Sequence, residues 1–257
     1  MASMRNRHGA NMSSDRDASG SPIGTFVLSG LTSGLGRAVL EQLVFETCPV
    51  IGLGRDLSRV HDVVSSATSP VKLVDIDLEN DSEAVTTVAD SIPDTLEAEG
   101  ATPLVFISNA SIIEPIAKSL DLDTEDLNRS MRINCLSPLI LANVLTRKTL
   151  AKGRTLLILN VSSGAAERAI SGWQAYCTSK AAFKMALDVL AAENSHVKVV
   201  HFDPGVMDTP MQQHIRDQTT ENMPQVATFR SYQSDGQLKN PAEVAFQLLS
   251  VVKSHLK

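Results

Sequence analysis

Short apolar runs of strand length alternate with longer amphipathic stretches along most of the chain. The apolar runs are Thr25–Ser29, Pro49–Leu53, Val71–Ile76, Leu104–Ser108, Thr155–Val161 and Val197–Phe202. The stretches with helical periodicity are Gly34–Glu46, Ser58–Ala67, Asp81–Ala98, Thr124–Leu150, Trp173–Asn194 and Pro241–Lys253. Most of the runs are apolar on both faces, as strands buried in a parallel sheet are. The alternation therefore predicts an α/β fold: a single-domain, Rossmann-type, doubly wound parallel sheet flanked by helices.

The chain of 257 residues is long enough for one large α/β domain. Residues 1–22 are polar or small and contain no long apolar stretch, so we expect a flexible N-terminal tail rather than a secretory signal. Residues 23–257 are expected to form the Rossmann-type domain. Residues 207–237 interrupt the alternation and combine Gln, Thr and Ser with several methionines and aromatic residues. Because long connections in compact domains are usually functional or disordered, this segment is predicted to be a substrate lid.

Charge and composition argue against several classes of function. The chain has 23 Lys and Arg against 29 Asp and Glu, and its formal net charge is −6. No block of like charge stands out, so neither nucleic acid nor an anionic membrane is an expected partner. No apolar run has the length of a membrane span. Cys48, Cys135 and Cys177 lack metal-type spacing and the six histidines are scattered, so we expect no metal site, reduced thiols and a cytoplasmic protein.

A glycine-rich loop joins the first predicted strand to the first predicted helix. Its sequence from residue 29 to residue 36 is Ser-Gly-Leu-Thr-Ser-Gly-Leu-Gly. Gly30 permits a tight turn, Gly34 lets the backbone approach a phosphate, and Gly36 lets helix and strand pack closely. A pyrophosphate would bind to N–H groups at the helix start, where the helix dipole favours anions. A plain turn is the alternative, but the strand–loop–helix context favours a dinucleotide site that includes Thr32, Ser33 and Leu35.

The end of the second strand predicts which dinucleotide is bound. An NAD enzyme usually has a carboxylate about 20 residues past the glycines, which holds the ribose 2′-hydroxyl. Gly54 occupies that place here, and Arg55 follows it. A glycine leaves room for a 2′-phosphate, and a guanidinium supplies bidentate charge for it. We therefore expect NADP(H), although Asp56 is adjacent and Arg55 could instead be a solvated loop residue paired with it.

A tyrosine and a lysine four residues apart form the candidate catalytic pair. Tyr176 and Lys180 lie near the start of a predicted helix, and the spacing puts them on one face. A tyrosine has an ordinary pKa near ~10, and a neighbouring ammonium is expected to lower that pKa. Tyr176 is then a usable acid or base near neutral pH. A Tyr-x-x-x-Lys spacing alone is common and most instances are surface chemistry, but Ser163 follows the fifth strand, 13 residues earlier, and its agreement with the glycine loop and the strand order argues against coincidence.

With these motifs the chain resembles the short-chain dehydrogenase/reductase family, from about Thr25 to Lys253. The resemblance implies catalytic roles for Ser163, Tyr176, Lys180 and Asn134, which lies midway along the predicted long helix. It also implies a set of cofactor contacts outside the glycine loop. These contacts are Asp77, Leu78, Asn109, Ala110, Tyr176, Lys180, Pro204, Gly205, Met207 and Thr209.

Within that family the segments around Ser171–Cys177, Ala191–Asn194 and Asp208–Gln213 are most similar to the sepiapterin reductase and benzil (1,2-diketone) reductase branches. Two departures matter. Ser111 stands where the family has glycine, so we expect that turn to be strained or differently shaped. The chain ends at Lys257 without the family's seventh strand or the C-terminal acidic residue that anchors a pterin. A diketone or ketone is therefore expected as substrate, rather than a pterin by inheritance.

The resemblance implies NADPH-dependent carbonyl reduction in which Tyr176 donates the proton and Ser163 helps to hold the substrate oxygen. Lys180 is implied to bind the ribose hydroxyls, and Asn134 to hold a water that links Lys180 to solvent. For Asn134 the alternative is a side chain bonded within its own helix. Trp173 and Met211 are candidates for the substrate pocket, although Trp173 could equally be plain packing. A dinucleotide-binding sensor or scaffold of the same fold is the alternative function.

The two longest predicted helices carry more apolar surface than one side of a sheet can cover. The residues responsible are Met131, Ile133, Leu136, Leu139, Ile140, Leu141, Val144 and Leu145, with Phe183, Met185, Ala186, Leu187, Val189 and Leu190. Pairing these helices across a two-fold axis would bury the excess. The family resemblance implies the same contact, so we expect a homodimer.

Overall fold

The computed structural model describes residues 23–80, 82–92 and 103–256. Six parallel strands form one sheet in the order β3-β2-β1-β4-β5-β6. Their bounds are β1 Thr25–Ser29, β2 Val50–Gly54, β3 Val71–Asp75, β4 Leu104–Ser108, β5 Leu156–Val161 and β6 Val197–Phe202. This order and direction are those of a doubly wound Rossmann-type sheet, so the predicted fold class is confirmed.

Helices cover both faces of the sheet. They are α1 Gly34–Phe45, α2 His61–Ser65, α3 Ser82–Ser91, α4 Thr124–Met131, α5 Ser137–Ala151, α6 Gln174–Glu193, α7 Pro210–Arg216, α8 Val226–Ser234 and α9 Pro241–Leu256. One apolar core lies between the sheet and α1, α2 and α9. A second core lies between the sheet and α3, α5 and α6. Among the described residues, no helix combines the length and the apolar character that crossing a membrane requires.

Several predicted element bounds differ from the structure. The helix predicted at 58–67 is a 3₁₀ turn, Leu57–Val60, followed by the short α2. The helix predicted at 81–98 is described only as α3, because residues 93–102 lie outside the described residues, as does the tail predicted at 1–22. The segment 207–237 contains α7 and α8, which sequence periodicity had not predicted. Both helices are short, and their apolar residues contact a local cluster rather than the main cores.

The long helix predicted at 124–150 has an irregular middle. A π-turn at Arg132–Leu136 separates α4 from α5. Single π-turns inside α-helices occur frequently at functional sites. Here the turn contains Asn134, whose buried side chain contacts the segment that follows β4. The helix therefore brings this amide to the end of the sheet where the site is found.

Candidate functional site

A large cavity of about 530 Å³ opens at the carboxyl ends of the strands. It extends across the point where β1 and β4 are neighbours while their following connections run to opposite faces of the sheet. Ligands of open α/β sheets bind at such a switch point. The cavity is lined by the loop after β1, the segment after β4, the start of α6 and the 203–212 segment. It is therefore the candidate active site.

The glycine loop is held in shape by backbone contacts that leave no room for side chains. Gly30 and Gly34 have φ values of +71° and +53°, which favour glycine. A Cβ at Gly36 would lie 2.1 Å from the Gly30 carbonyl oxygen. The loop leads into α1, whose first turn has no acidic residue and whose Ser33 cap residue makes no side-chain capping bond. The N–H groups at this helix start are thus available to an anion.

Asn109 fixes this loop from the neighbouring strand. Its side-chain amide donates to the carbonyl oxygens of Ser29 at 3.2 Å and Gly30 at 2.9 Å. The backbone N–H groups of Asn109 and Ala110 both donate to the Ser29 hydroxyl. Asn109 and Ala110 line the cavity, as do Thr32, Ser33 and Leu35. The segment after β4 therefore positions the glycine loop in addition to lining the site.

Arg55 lines the outer part of the cavity beyond β2. Its guanidinium pairs with the carboxylate of Asp77 at 3.2 Å, rather than with its neighbour Asp56. Both side chains are partly exposed, so this ion pair is weak enough to rearrange around a ligand. Arg59 lines the same region. Two guanidinium groups near the place expected for a ribose 2′-phosphate suit that group chemically.

Ser163, Tyr176 and Lys180 line the same cavity, with the Ser163 hydroxyl and the Lys180 ammonium both close to the Tyr176 phenol. Tyr176 lies in the first turn of α6, and Lys180 follows one turn later with its Nζ 5.9 Å from the centroid of the phenol ring. The Lys180 ammonium is buried and donates to the Val161 carbonyl oxygen at 2.8 Å. The Ser163 hydroxyl accepts from the Ala165 N–H at 3.1 Å. The three side chains predicted as the catalytic group are thus brought together.

The electrostatics of Tyr176 differ from the expectation. Burial raises its pKa to about 12, the Asp203 carboxylate adds to the rise, and the hydroxyls of Ser163 and Ser111 oppose part of it. Burial also lowers the pKa of Lys180 to about 8, although Asp203 acts against that change. The prediction that the lysine lowers the tyrosine pKa is wrong for this structure, because desolvation is the largest effect on both groups. The phenol is therefore protonated at neutral pH.

Asn134 lies behind the cavity wall and does not line the cavity. Its Oδ1 accepts from the Ile112 N–H at 2.8 Å, and its Nδ2 donates to the Ile112 carbonyl at 2.9 Å and to the Ser179 hydroxyl at 3.1 Å. The alternative of a bond within its own helix is present only as a 3.4 Å contact with Ser130. The amide therefore links the segment after β4 to α6 beside Lys180. A water relay through Asn134 would have to use its backbone.

Aromatic rings form one wall of the cavity. Trp173 contacts Tyr176 edge-on, with 5.6 Å between ring centroids, and Phe229 of α8 at 5.2 Å. Phe229 in turn contacts Tyr232 at 5.8 Å. The row includes the chain's one tryptophan and both its tyrosines. Trp173 is therefore part of the cavity wall as well as of the local packing, and Met211 lies beside it in the same cluster.

The 203–209 loop closes the other side of the cavity. Pro204, Gly205, Met207 and Thr209 all line it. Thr209 caps α7, and a Cβ at Gly34 would lie 3.3 Å from its methyl carbon, so this loop contacts the glycine loop. Asp77 and Leu78 also line the cavity. Of the predicted site residues only Gly36 and Asn134 do not, since both act through packing or hydrogen bonds behind the wall.

Two features of the site were not anticipated. Ser111 adopts an ordinary backbone conformation, since the described non-glycine residues with positive φ are Thr47 and Asp56, so the strain expected at Ser111 is absent. Arg168 lines the cavity close to Ser163. The signal available in the sequence was the position of Arg168 between Ser163 and Tyr176.

Within the described part of the chain, no group of three or more His, Cys, Asp or Glu side chains is arranged to hold a metal ion.

Comparison with known proteins agrees with this geometry. The model of the short chain dehydrogenase family matches residues 25–220. Benzil reductase ((S)-benzoin forming) of Bacillus subtilis (strain 168) is 28% identical over 232 residues, covering 89% of this chain and 93% of the relative. Sepiapterin reductase of Meriones unguiculatus is 29% identical over 238 residues, covering 88% and 90%. The crystal structure of KRED1-Pglu enzyme has a TM-score of 0.75 at 25% identity, covering 88% and 93%.

Proposed function

The chain belongs to the short-chain dehydrogenase family of oxidoreductases, and from this premise we propose that it reduces a small-molecule carbonyl with NADPH. The proposal rests mainly on one feature of the site. Ser163, Tyr176 and Lys180 meet in the same cavity as a glycine loop at a helix N-terminus. A sensor or scaffold would need the dinucleotide site alone, whereas this cavity also holds a proton donor beside a buried ammonium.

The residues divide the reaction between them. The substrate carbonyl oxygen lies against the hydroxyls of Ser163 and Tyr176, and the protonated phenol of Tyr176 donates its proton to that oxygen. A nicotinamide cofactor held by the glycine loop would supply the hydride for the carbonyl carbon. Lys180 is held by the Val161 carbonyl with its ammonium beside the phenol ring, where it would be able to bind the ribose of a bound cofactor. Because its pKa is about 12, Tyr176 is in the protonated form that carbonyl reduction requires of its donor.

The cavity wall supports the substrate class. Trp173, Phe229 and Tyr232 offer ring faces and edges that suit a planar, largely apolar molecule. The names of two relatives specify benzil and sepiapterin, both carbonyl compounds with rings. We propose a diketone or ketone of this kind.

Residues 207–237, in which Gln212 of α7 donates to the Phe229 carbonyl of α8, then act as the substrate lid. Cys135 and Cys177 are thiols rather than disulfides, which supports a cytoplasmic location.

Turnover tests the proposal directly. NADPH oxidation is followed at fixed enzyme concentration with benzil, sepiapterin, a quinone and a ketosteroid as substrates. We expect reduction of at least one dicarbonyl compound and identification of the hydroxyketone product. If the protein binds NADPH but oxidises it with none of these compounds, the dinucleotide-binding scaffold becomes the better description.

Cofactor choice is expected to depend on Arg55. Replacing Arg55 with Ala should weaken NADPH binding by about 1.5–3 kcal/mol, the size of a hydrogen bond to a charged group, and leave NADH binding nearly unchanged. Titration of both cofactors against wild type, Arg55→Ala and the charge-preserving Arg55→Lys measures this. A wild-type protein that prefers NADH would show that Gly54 and Arg55 do not select the 2′-phosphate.

The apolar surface that remains exposed on α5 and α6 supports a homodimer. Met185 and Val189 lie one turn apart on α6 and are 63% and 48% exposed, and Leu150 on α5 is 57% exposed. We expect light scattering at micromolar concentration to give about twice the chain mass of 27.6 kDa.

Charged substitutions on α6, with a control on α9, test this dimer interface. Met185→Asp combined with Val189→Asp should shift the protein towards monomer, because both carboxylates would be buried in the interface without cationic partners. Phe246→Asp is the control, since Phe246 is 65% exposed on α9 at the opposite face of the sheet. Wild type that scatters as a monomer, or Phe246→Asp that dissociates equally, would contradict this assignment.

A further inference from the structure

Arg168 is a cation in the substrate part of the cavity that the proposed chemistry does not use. Its guanidinium lies over Gly164, the residue after Ser163: a Cβ on Gly164 would be 2.5 Å from Nη2 and 3.4 Å from Cζ. Three other cations among the described residues line the cavity, and Arg59 is one of them, in the region of Arg55 beyond β2. Arg55 pairs with Asp77, and Lys180 donates to Val161. Arg168 is therefore the guanidinium of the cavity wall that lies beside the segment carrying Ser163.

The backbone at Arg168 is anchored on both sides. Its N–H donates to the Gly164 carbonyl at 3.0 Å, and its carbonyl accepts from the Cys177 thiol at 3.6 Å. Cys177 follows Tyr176 in α6, so residue 168 has a fixed relation to the proton donor. This anchoring places a long, exposed side chain at the mouth of the site on a rigid base.

Within the part of the chain that the structure describes, no carboxylate pairs with the Arg168 guanidinium. Its neighbour Glu167 lies 3.9 Å from Lys184 instead. Asp203, another carboxylate at the cavity wall, accepts from the Gly205 N–H. A guanidinium that has no protein partner beside a substrate pocket is suited to bidentate recognition of a carboxylate. The aromatic row from Trp173 to Tyr232 supplies a ring-binding wall in the same cavity.

We propose that the substrate is an aromatic 2-oxo acid or a closely related aromatic carbonyl compound with an anionic group, and that Arg168 binds this anion. The inference rests on the proposed carbonyl reductase function. The ring lies on the aromatic wall and the ketone oxygen lies between Ser163 and Tyr176. The ketone carbon gains a hydride from the nicotinamide and its oxygen gains the Tyr176 proton, which gives a 2-hydroxy acid. Arg168 sets specificity and takes no part in the chemical step.

A matched pair of probes tests the proposal. Phenylglyoxylate and 1-phenyl-1,2-propanedione share the aryl ketone and differ in a carboxylate against an acetyl group. Wild type should have the higher kcat/KM for phenylglyoxylate. Arg168→Gln should lower that value roughly tenfold, through KM rather than kcat, and leave the neutral dione almost unaffected. Arg168→Lys should recover part of the loss. Lys72→Gln, which removes one positive charge on β3 outside the cavity, is the control for net charge.

The outcomes distinguish the role of Arg168 from carbonyl reduction itself. If the dione is reduced but phenylglyoxylate is no better a substrate, or if Arg168→Gln impairs both equally, the anion-binding role of Arg168 is refuted and carbonyl reduction stands. If wild type reduces neither probe with NADPH or NADH, aryl ketone reduction itself is refuted, and the role of Arg168 with it.

Discussion

Tyr176→Phe is expected to lower turnover by roughly 10²–10⁴-fold, because it removes the proton donor and leaves the ring in place. The phenylalanine ring retains the edge contact with Trp173, whose centroid lies 5.6 Å away. NADPH affinity, measured by fluorescence titration, should stay close to that of wild type. Tyr232→Phe is the comparator, since Tyr232 lies at the outer end of the aromatic row, and should change turnover far less. Near-normal turnover by Tyr176→Phe would refute the assignment.

The pH profile gives an independent check on the same group. Tyr176 must be protonated to donate, and its pKa of about 12 keeps it so throughout the usual assay range. Lys180 must be charged, and its pKa of about 8 means that the charge is present below that pH and is lost as the pH rises through it. For carbonyl reduction, kcat/KM should therefore be flat at neutral pH and fall above about pH 8. A kcat/KM that rises above pH 8 would contradict the assignment of these pKa values to Lys180 and Tyr176.

The sequence was sufficient for the fold and for the main parts of the site because both depend on local patterns. Buried parallel strands require continuous apolar runs, and a phosphate loop requires glycines where a Cβ would collide, as at Gly36. The spacing of Tyr176 and Lys180 follows from one helical turn. These features could be predicted without knowing which distant residues they contact.

What could not be predicted depends on distant contacts. Burial of Tyr176 follows from the packing of α6, the aromatic wall and the 203–209 loop, and it reversed the expected direction of the tyrosine pKa. The partner of Arg55 is Asp77, 22 residues later, because β2 and β3 are neighbours in the sheet. α7 and α8 carry weak periodicity because they pack on a small local cluster. In each case the contact that decides the outcome joins segments that are far apart in the sequence.

Asn134 gives the second large expected effect, on stability as well as activity. Asn134→Leu fills a similar volume but leaves both the N–H and the carbonyl of Ile112 without their present partner. A fully buried backbone group left unpaired costs about 1–3 kcal/mol, and the two Ile112 groups are only part-buried, so the free energy of unfolding should fall by about 1–3 kcal/mol in all. The activity of the folded fraction should fall too, because Ile112 lines the cavity.

The comparator for this change is Asn194→Leu. Asn194 donates to the Leu190 carbonyl of its own helix at 2.8 Å and is remote from the cavity, so its replacement should cost much less. Denaturant unfolding of both variants, with turnover measured under conditions where each is folded, separates the two contributions. Equal stability losses would mean that the amide of Asn134 acts only as a helix residue. A large loss confined to Asn134→Leu identifies it as the residue that ties the segment after β4 to the helix bearing Tyr176 and Lys180.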